Sequence, residues 1–381
     1  MDNFSLLLQS FLVYGGLALA MYMLATFYSK KGKYVYVIMA LLLYALVFGF
    51  RYGVGRDYFH YLSDFEDFID YGHQTGWVEW EVGFSLLVKA LAKLHSVNIL
   101  FGFTAFVPLF LLTYNFKKWP QIYPLLFLVF IISCSWLSQA NVIRQYMSIG
   151  LWALSIKYAI DRKIYLHYFL LIIAATIHNA SLLLFVFYPL MAWKNEWFSN
   201  IKLQISALLA LNLFVRVPFV MMLIGYLDNV IAYLGYMHYT ELGNNSILFS
   251  SETSIGFGYL ISLFSSVILI SQSNKVKQYF DDMYINMLYN LYYIGLILHV
   301  LFAQSNIFGR VTYFFGCFTF IIYAFTIYYL KSVGKKTMYY LLILLMFVMF
   351  IGIITKGDQN TAYFVFDGQT EFYNSKMKFD D

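Results

Sequence analysis

The sequence is short of charge. Aspartate, glutamate, lysine and arginine make up only 12% of its 381 residues, against about 25% in an average soluble domain. Hydrophobic residues reach 61% and the mean hydropathy is +0.67. A soluble chain of this size has no interior large enough for so much apolar surface, so the composition excludes the soluble classes. Cysteine is almost missing. Cys134 and Cys317 both lie in apolar stretches and read as small core residues, with no paired motif for zinc or redox chemistry. There is no HExxH, His60, His73, His238 and His299 have no metal-site spacing, and no nucleotide-binding loop occurs. Direct use of ATP or a nucleotide-sugar is therefore unsupported, and no metal or other cofactor is expected. The net charge of +5 follows the membrane's positive-inside bias and does not indicate nucleic acid. Soluble domains, low-complexity linkers and transporter-type internal repeats are also lacking.

What the chain does have is apolar runs. They fall near 4–28, 33–50, 97–116, 121–138, 141–160, 201–225, 255–272, 283–303, 311–330 and 338–355. The first run, Phe4 to Tyr28, has no basic region before it and reads as a span, not a cleaved signal. The expected architecture is an all-α polytopic membrane protein, a single integral domain over 1–381. It has roughly eleven to thirteen transmembrane helices, some short or re-entrant, and amphipathic helices on one face. Aromatic residues are abundant, with 35 Tyr and 39 Phe; Tyr and Trp supply interfacial anchors, and stacking surface for sugar rings is the alternative use of part of them.

Short-loop cations set the orientation. Lys30, Lys31, Lys33, Lys117, Lys118, Lys157, Arg162, Lys163, Lys275, Lys277, Lys331, Lys335 and Lys336 all agree with one topology, in which the N-terminus is outside. The loop 51–96, the segment 226–254 and the tail 356–381 are then outside as well. The stretch 164–191 must go out and return between cytoplasmic lysines, or else be one long span compensated by a break near Arg216-Val217-Pro218. The polar pair His178-Asn179 at mid-stretch favours a hairpin of short helices, with His178 facing a wet cavity.

Under this topology five of six arginines lie outside, where positive charge is normally scarce: Arg51, Arg56, Arg144, Arg216 and Arg310. A planar fork with a permanent charge suits an anion such as phosphate or pyrophosphate. Arg51 and Arg56 flank a turn opened by Gly53 and Gly55, with Asp57 beside them as an orienting partner or base. From Asp57 onward, Phe59, Leu62, Phe65, Phe68 and Ile69 recur at helical spacing, which predicts an amphipathic surface helix whose acids Asp64, Glu66, Asp67 and Asp70 form a solvated face. Trp77, Glu79, Trp80 and Glu81 stand at the foot of a second such helix, Val82 to His95, a pattern shared by sugar sites and membrane interfaces. Asn141, Arg144 and Gln145 open the fifth span on the first turns of a helix, where backbone N–H groups also favour anions. His178, with Ser181 nearby, is an ionisable group in an apolar stretch, and Arg310 follows Asn306 and Gly309 in a placement like that of Arg144.

These residues carry a resemblance. FRYGVGRDYFHY at 50–61, WEVGFSLL at 80–87, NVIRQYMSIGLWALSIKYAIDRK at 141–163, ATIHNASLLLF at 175–185 and NIFGRVTYFF at 306–315 together resemble the EpsG family of exopolysaccharide polymerases, related in role to Wzy O-antigen and capsule polymerases. The ordered set covers most of the N-terminal half and one C-terminal site. The resemblance implies glycosyl transfer on the outer face of a bacterial cytoplasmic membrane, on a fold like that of the lipid-dependent, all-helical (GT-C-type) glycosyltransferases. A growing glycan on undecaprenyl pyrophosphate is then the donor and a lipid-linked repeat unit the acceptor. A chain-length regulator and a flippase of the same pathway are implied partners, besides membrane lipid. On this view Arg51, Arg144 and Arg310 hold the pyrophosphate, and His178, Asp57 and Glu81 are the candidate bases. Arg56, Tyr58, Tyr61, Asn141, Gln145 and Trp80 are further substrate contacts. A flippase or a ligase of the same pathway is the alternative; a flippase calls for repeat symmetry and a polar path through the whole bilayer.

Overall fold

The computed structural model describes residues 3–55, 57–75, 80–192, 197–215, 256–302, 306–356 and 364–366. It is an all-helical, multi-pass membrane protein. Among the described residues six helices are long and apolar enough to cross a bilayer, a bent pair makes a seventh candidate, and five further apolar helices are shorter. The chain divides into two compact units, 1–193 with 336–381, and 194–335.

In the first unit the helices are α1 (Asn3–Lys31), α2 (Val35–Gly49), α3 (Tyr58–Asp70), α4 (Val82–Ala92), α5 (Val97–Tyr114), α6 (Tyr123–Ile132), α7 (Ser135–Asn141), α8 (Ile143–Ile160), α9 (Ile164–Ile177), a 3-10 stretch (Asn179–Phe187) running into α10 (Tyr188–Ala192), and α16 (Lys336–Lys356). The bundle is built by the pairs α1–α6, α1–α2, α2–α5, α5–α8 and α8–α9, with α16 against α1 and α6. Small residues set the closest crossings. A Cβ on Gly49 would stand 2.9 Å from the Asn98 carbonyl on α5, and one on Gly150 would stand 3.0 Å from Pro108. In lipid, where apolar side chains gain little by leaving the solvent, such backbone approach is what holds helices together.

Three features depart from the apolar runs. The run 121–138 is not one straight helix: it breaks after Ile132, and α7 leaves at 66°, with Cys134 left-handed at φ 56°. The run 141–160 begins two residues late, because Val142 leaves helical geometry between α7 and α8. The run 311–330 remains one candidate span, Gly309–Ser332, with a turn at Cys317-Phe318 that divides it into α14 and α15 below. The stretch 164–192 is the hairpin favoured above. Tyr168 donates to the Phe185 carbonyl at 3.2 Å, and the His167 and Tyr168 rings both meet Tyr188. These contacts bring the returning arm back along α9, so the chain reverses at His178.

α3 buries Tyr58, Tyr61, Phe65 and Phe68 on one face. Phe59, Leu62 and Ile69 are only partly buried, so the apolar stripe is rotated from the one the spacing suggested. The second unit holds α11 (Ile201–Phe214), α12 (Phe257–Phe280), α13 (Met283–Phe302), α14 (Asn306–Gly316) and α15 (Thr319–Ser332), with α13 packed on α14 and α12 on α15.

Candidate functional site

Three segments remote in sequence converge in the first unit. Glu81 sits at the foot of α4, Arg144 in the first turn of α8, and His178 where α9 ends. Arg144 Nη1 donates to Glu81 Oε2 at 2.8 Å, and His178 Nδ1 lies 3.2 Å from Glu81 Oε1. The Asn179 backbone N–H donates to the same Oε1 at 3.0 Å. All three side chains are mostly enclosed, between 11% and 17% exposed. His178 Nε2 is covered and makes no hydrogen bond among the described residues.

Local structure explains the convergence. Gly83 lets α4 dock on the end of α9: a Cβ there would stand 2.8 Å from the Thr176 carbonyl. Ser148 on α8 donates to the Ala174 carbonyl at 2.8 Å, tying α8 to the same turn. The His178 N–H still closes α9 on Ala174, and its extended backbone turns the next N–H outward to meet the carboxylate. Burial alone would raise the Glu81 carboxyl. The contact with His178, the Arg144 charge and the Asn179 N–H outweigh it and bring the pKa from 4.5 to about 2. Glu81 is thus a committed anion. Such a group orients partners well and accepts a proton poorly.

α3 forms the facing wall. Burial raises the Tyr61 phenol, against the lowering effect of the neighbouring Arg144, with Asp57 also in reach. The Asp64 carboxyl is likewise raised by burial, offset by its hydrogen bond to Gln74 and by the His60 and Arg144 charges. Asp64 is therefore half-enclosed, and Asp67 accepts from Thr75 N and Oγ1 at 2.9 and 2.6 Å. These two acids tie the loop after α3 in place, whereas the sequence suggested a merely solvated face. The Asp57 N–H donates to Asn141 Oδ1 at 3.3 Å, so the start of α3 is fastened to the α7–α8 junction three residues before Arg144.

Arg51 takes a different place from the one expected. It is 2% exposed. Its Nη2 donates to the Ala140 carbonyl at 2.9 Å, and its guanidinium lies 4.8 Å from the Phe101 ring centre and 5.8 Å from that of Phe48. Burial lowers its pKa to about 10, which leaves it a cation at neutral pH. It is held by aromatic faces and by the carbonyl end of α7, and is enclosed away from any anion outside. Gly55, at φ +105°, comes so close that a Cβ would be 2.8 Å from that same Ala140 carbonyl.

Three other expected contacts also face inward. Tyr58 is 2% exposed and stacks on Phe101 at 4.7 Å. Trp80 is buried and stacks on Phe68, while its backbone N–H donates to Gln74 Oε1 at 3.1 Å. Gln145 is buried on the core side of α8. Tyr58 and Trp80 are wall and core, not open platforms for a sugar ring. Arg310, on α14 of the second unit, is half-buried and has an interaction partner. Arg56, Trp77, Glu79, Arg216 and His238 lie outside the described residues. Among the described residues no three His, Cys, Asp or Glu side chains gather in a way that would hold a metal ion.

The sequence did not point to the segment 364–366. The Tyr52 N–H donates to the Val365 carbonyl at 2.8 Å, Arg51 and Phe366 pair as an isolated antiparallel bridge, and Phe364 is fully buried. Its only advance signal was apolar character in a tail expected to lie outside.

A comparison with the curated proteins and one with the solved structures gave no match. A family profile, that of the EpsG family, matches residues 33–366. This stretch takes in the Arg51 turn, Glu81, Arg144, His178, Arg310 and the segment ending at Phe366, so the chain belongs to the EpsG family.

Proposed function

We propose that the protein is a membrane glycosyltransferase, a polysaccharide polymerase. It moves a growing glycan from undecaprenyl pyrophosphate onto a lipid-linked repeat unit at the outer face of the cytoplasmic membrane. The observation that carries this reading is the enclosed Arg144–Glu81–His178 cluster, assembled from three segments within the stretch matched by the family.

In this reading Glu81 orients both neighbours. A proton on Nδ1 of His178 faces the carboxylate, which leaves the Nε2 lone pair to take the proton of the acceptor hydroxyl. The acceptor oxygen then bonds to the anomeric carbon as the bond from that carbon to the pyrophosphate oxygen breaks. The electron pair leaves with the lipid pyrophosphate, and Arg144 stabilises the added negative charge. One displacement inverts the anomeric centre. Asp57, tied to Asn141, is the alternative proton acceptor, and Tyr61 beside Arg144 is a hydrogen-bond partner for phosphate or sugar oxygen. Arg51 builds the wall behind Arg144.

The test uses purified protein in liposomes with the lipid-linked repeat unit extracted from its own cells. Glycans of two and more repeat units, formed together with free lipid pyrophosphate and without added metal or nucleotide, are the expected products. Transbilayer movement of the unit with no longer glycan would identify a flippase. Transfer to a separate acceptor without elongation would identify a ligase.

A further inference from the structure

The segment Phe364–Phe366 lies more than 300 residues from the residues it touches, yet it is built into the wall behind the site. Its backbone is held on both sides. Ser10 Oγ accepts from the Phe364 N–H at 2.8 Å and Gln9 Nε2 donates to the Phe364 carbonyl at 2.9 Å, both from α1. On the other side lie the Tyr52 N–H and the bridge to Arg51. The first two side chains are equally committed, and Phe366 is exposed at the edge. The Phe364 ring meets Tyr14 and Phe48 at 5.8 and 6.5 Å, and Val365 packs with Leu6, Tyr52 and Phe59. The chain returns from α16 and sews the foot of α1 to the turn after α2. That turn carries Arg51, which holds Ala140, and it runs into Asp57, whose N–H holds Asn141.

We propose that Phe364–Phe366 is a positioning element of the site: a C-terminal clamp that fixes the Arg51 turn, and through Ala140 and Asn141 sets the start of α8 from which Arg144 reaches Glu81. The matched stretch of the family takes in all three of these residues. An extended piece paired to backbone on one flank and buried by its side chains on the other has little freedom, and misplacing a reacting group by about 1 Å costs around a hundredfold in rate. The clamp concerns the geometry of the site. Its link to rate rests on the polymerase reading.

Two shortened chains test it, one ending at Phe366 and one ending at Tyr363, each with Leu6→Cys as a reporter. In the liposome assay the chain ending at Phe366 should elongate like the full chain. The chain ending at Tyr363 should lose about a hundredfold in turnover with little change in KM, and its reporter thiol should become open to a maleimide that the longer chain excludes. Undiminished turnover at Tyr363, or a reporter thiol still shielded there, overturns the clamp and leaves the polymerase reading intact. If the full chain itself forms no polymer, the polymerase reading fails, and labelling of the reporter thiol alone decides the clamp. Should the Tyr363 chain not accumulate, Gln9→Ala with Ser10→Ala removes both α1 anchors in the full chain carrying the same reporter. A loss of turnover with the thiol opened supports the clamp, and no change in either overturns it.

Discussion

At the scale of single residues, the site is organised around one carboxylate. Glu81 accepts from Arg144 and from the Asn179 N–H and faces His178, so its charge holds the other two in place. Because its pKa falls from 4.5 to about 2 on folding, the group adds stability that is complete above about pH 4.5 and is lost as the pH drops toward 2. The thermal midpoint of the wild type should therefore exceed that of Glu81→Gln by a constant margin above pH 5. The margin should shrink between pH 4.5 and 2. A margin independent of pH across that range would show that the carboxylate is not held as described. The pairing was not legible in the sequence. Glu81 and Arg144 are 63 positions apart and Glu81 and Asn179 98 apart, and no local pattern encodes such distances. Each residue was singled out for its own chemistry, which is why a Glu, an Arg and a His were named as separate candidates. Arg51 illustrates the opposite limit. Its charge made it look like an anion ligand, and only the rings of Phe48, Phe101 and Tyr58 around it turn it into an internal tie.

At the scale of elements, the long apolar helices were readable because a bilayer demands about 20 apolar residues per span. The hairpin at His178 was readable because a polar pair interrupts an otherwise apolar stretch. The break between α6 and α7 was not, since Ser133, Cys134 and Ser135 are small residues that a continuous span also accommodates, and no glycine or proline marks the left-handed turn. What the site needs from these elements is close docking of α4 on α9. Gly83→Val should push α4 from the Thr176 carbonyl, cost about 1–3 kcal/mol as overpacking does, and separate Glu81 from the His178 turn. Elongation should then fall much further than stability does. A variant that elongates normally would mean that the α4–α9 contact does not set the site. Gly55→Ala faces both a positive φ and the Ala140 carbonyl. It should cost about 1–3 kcal/mol in strain, measured by thermal unfolding in detergent; an unchanged or raised midpoint would show that the turn does not approach Ala140 this closely.

At the scale of the whole molecule, cations divide between the two ends of the first unit. Lys30 and Lys31 close α1 and Lys157 closes α8. Lys117 lies over the Tyr34 and Tyr114 rings, and its carbonyl accepts from the Tyr28 hydroxyl. Glu81, Arg144 and His178 gather where α8 starts and α9 ends, at the opposite end. On the positive-inside bias, the proposed orientation has the cluster outside. Lys89→Cys on α4 should react with a membrane-impermeant maleimide in intact cells, and Lys31→Cys only after lysis. The reverse pattern would turn the site toward the cytoplasm and remove the exterior polymerase from consideration.

In the proposed reaction Arg144 holds the departing pyrophosphate through its fork. The direct measurement is the glycan ladder of a deletion strain complemented with wild type, Arg144→Lys or Arg144→Ala at matched protein level. A lysine keeps the charge but not the planar pair of donors, so both variants should lose the long ladder and leave single repeat units attached, with a turnover deficit of about a hundredfold or more. A full-length ladder from Arg144→Lys would contradict the role of the fork, and one from Arg144→Ala would leave Arg144 a structural partner of Glu81 and Tyr61.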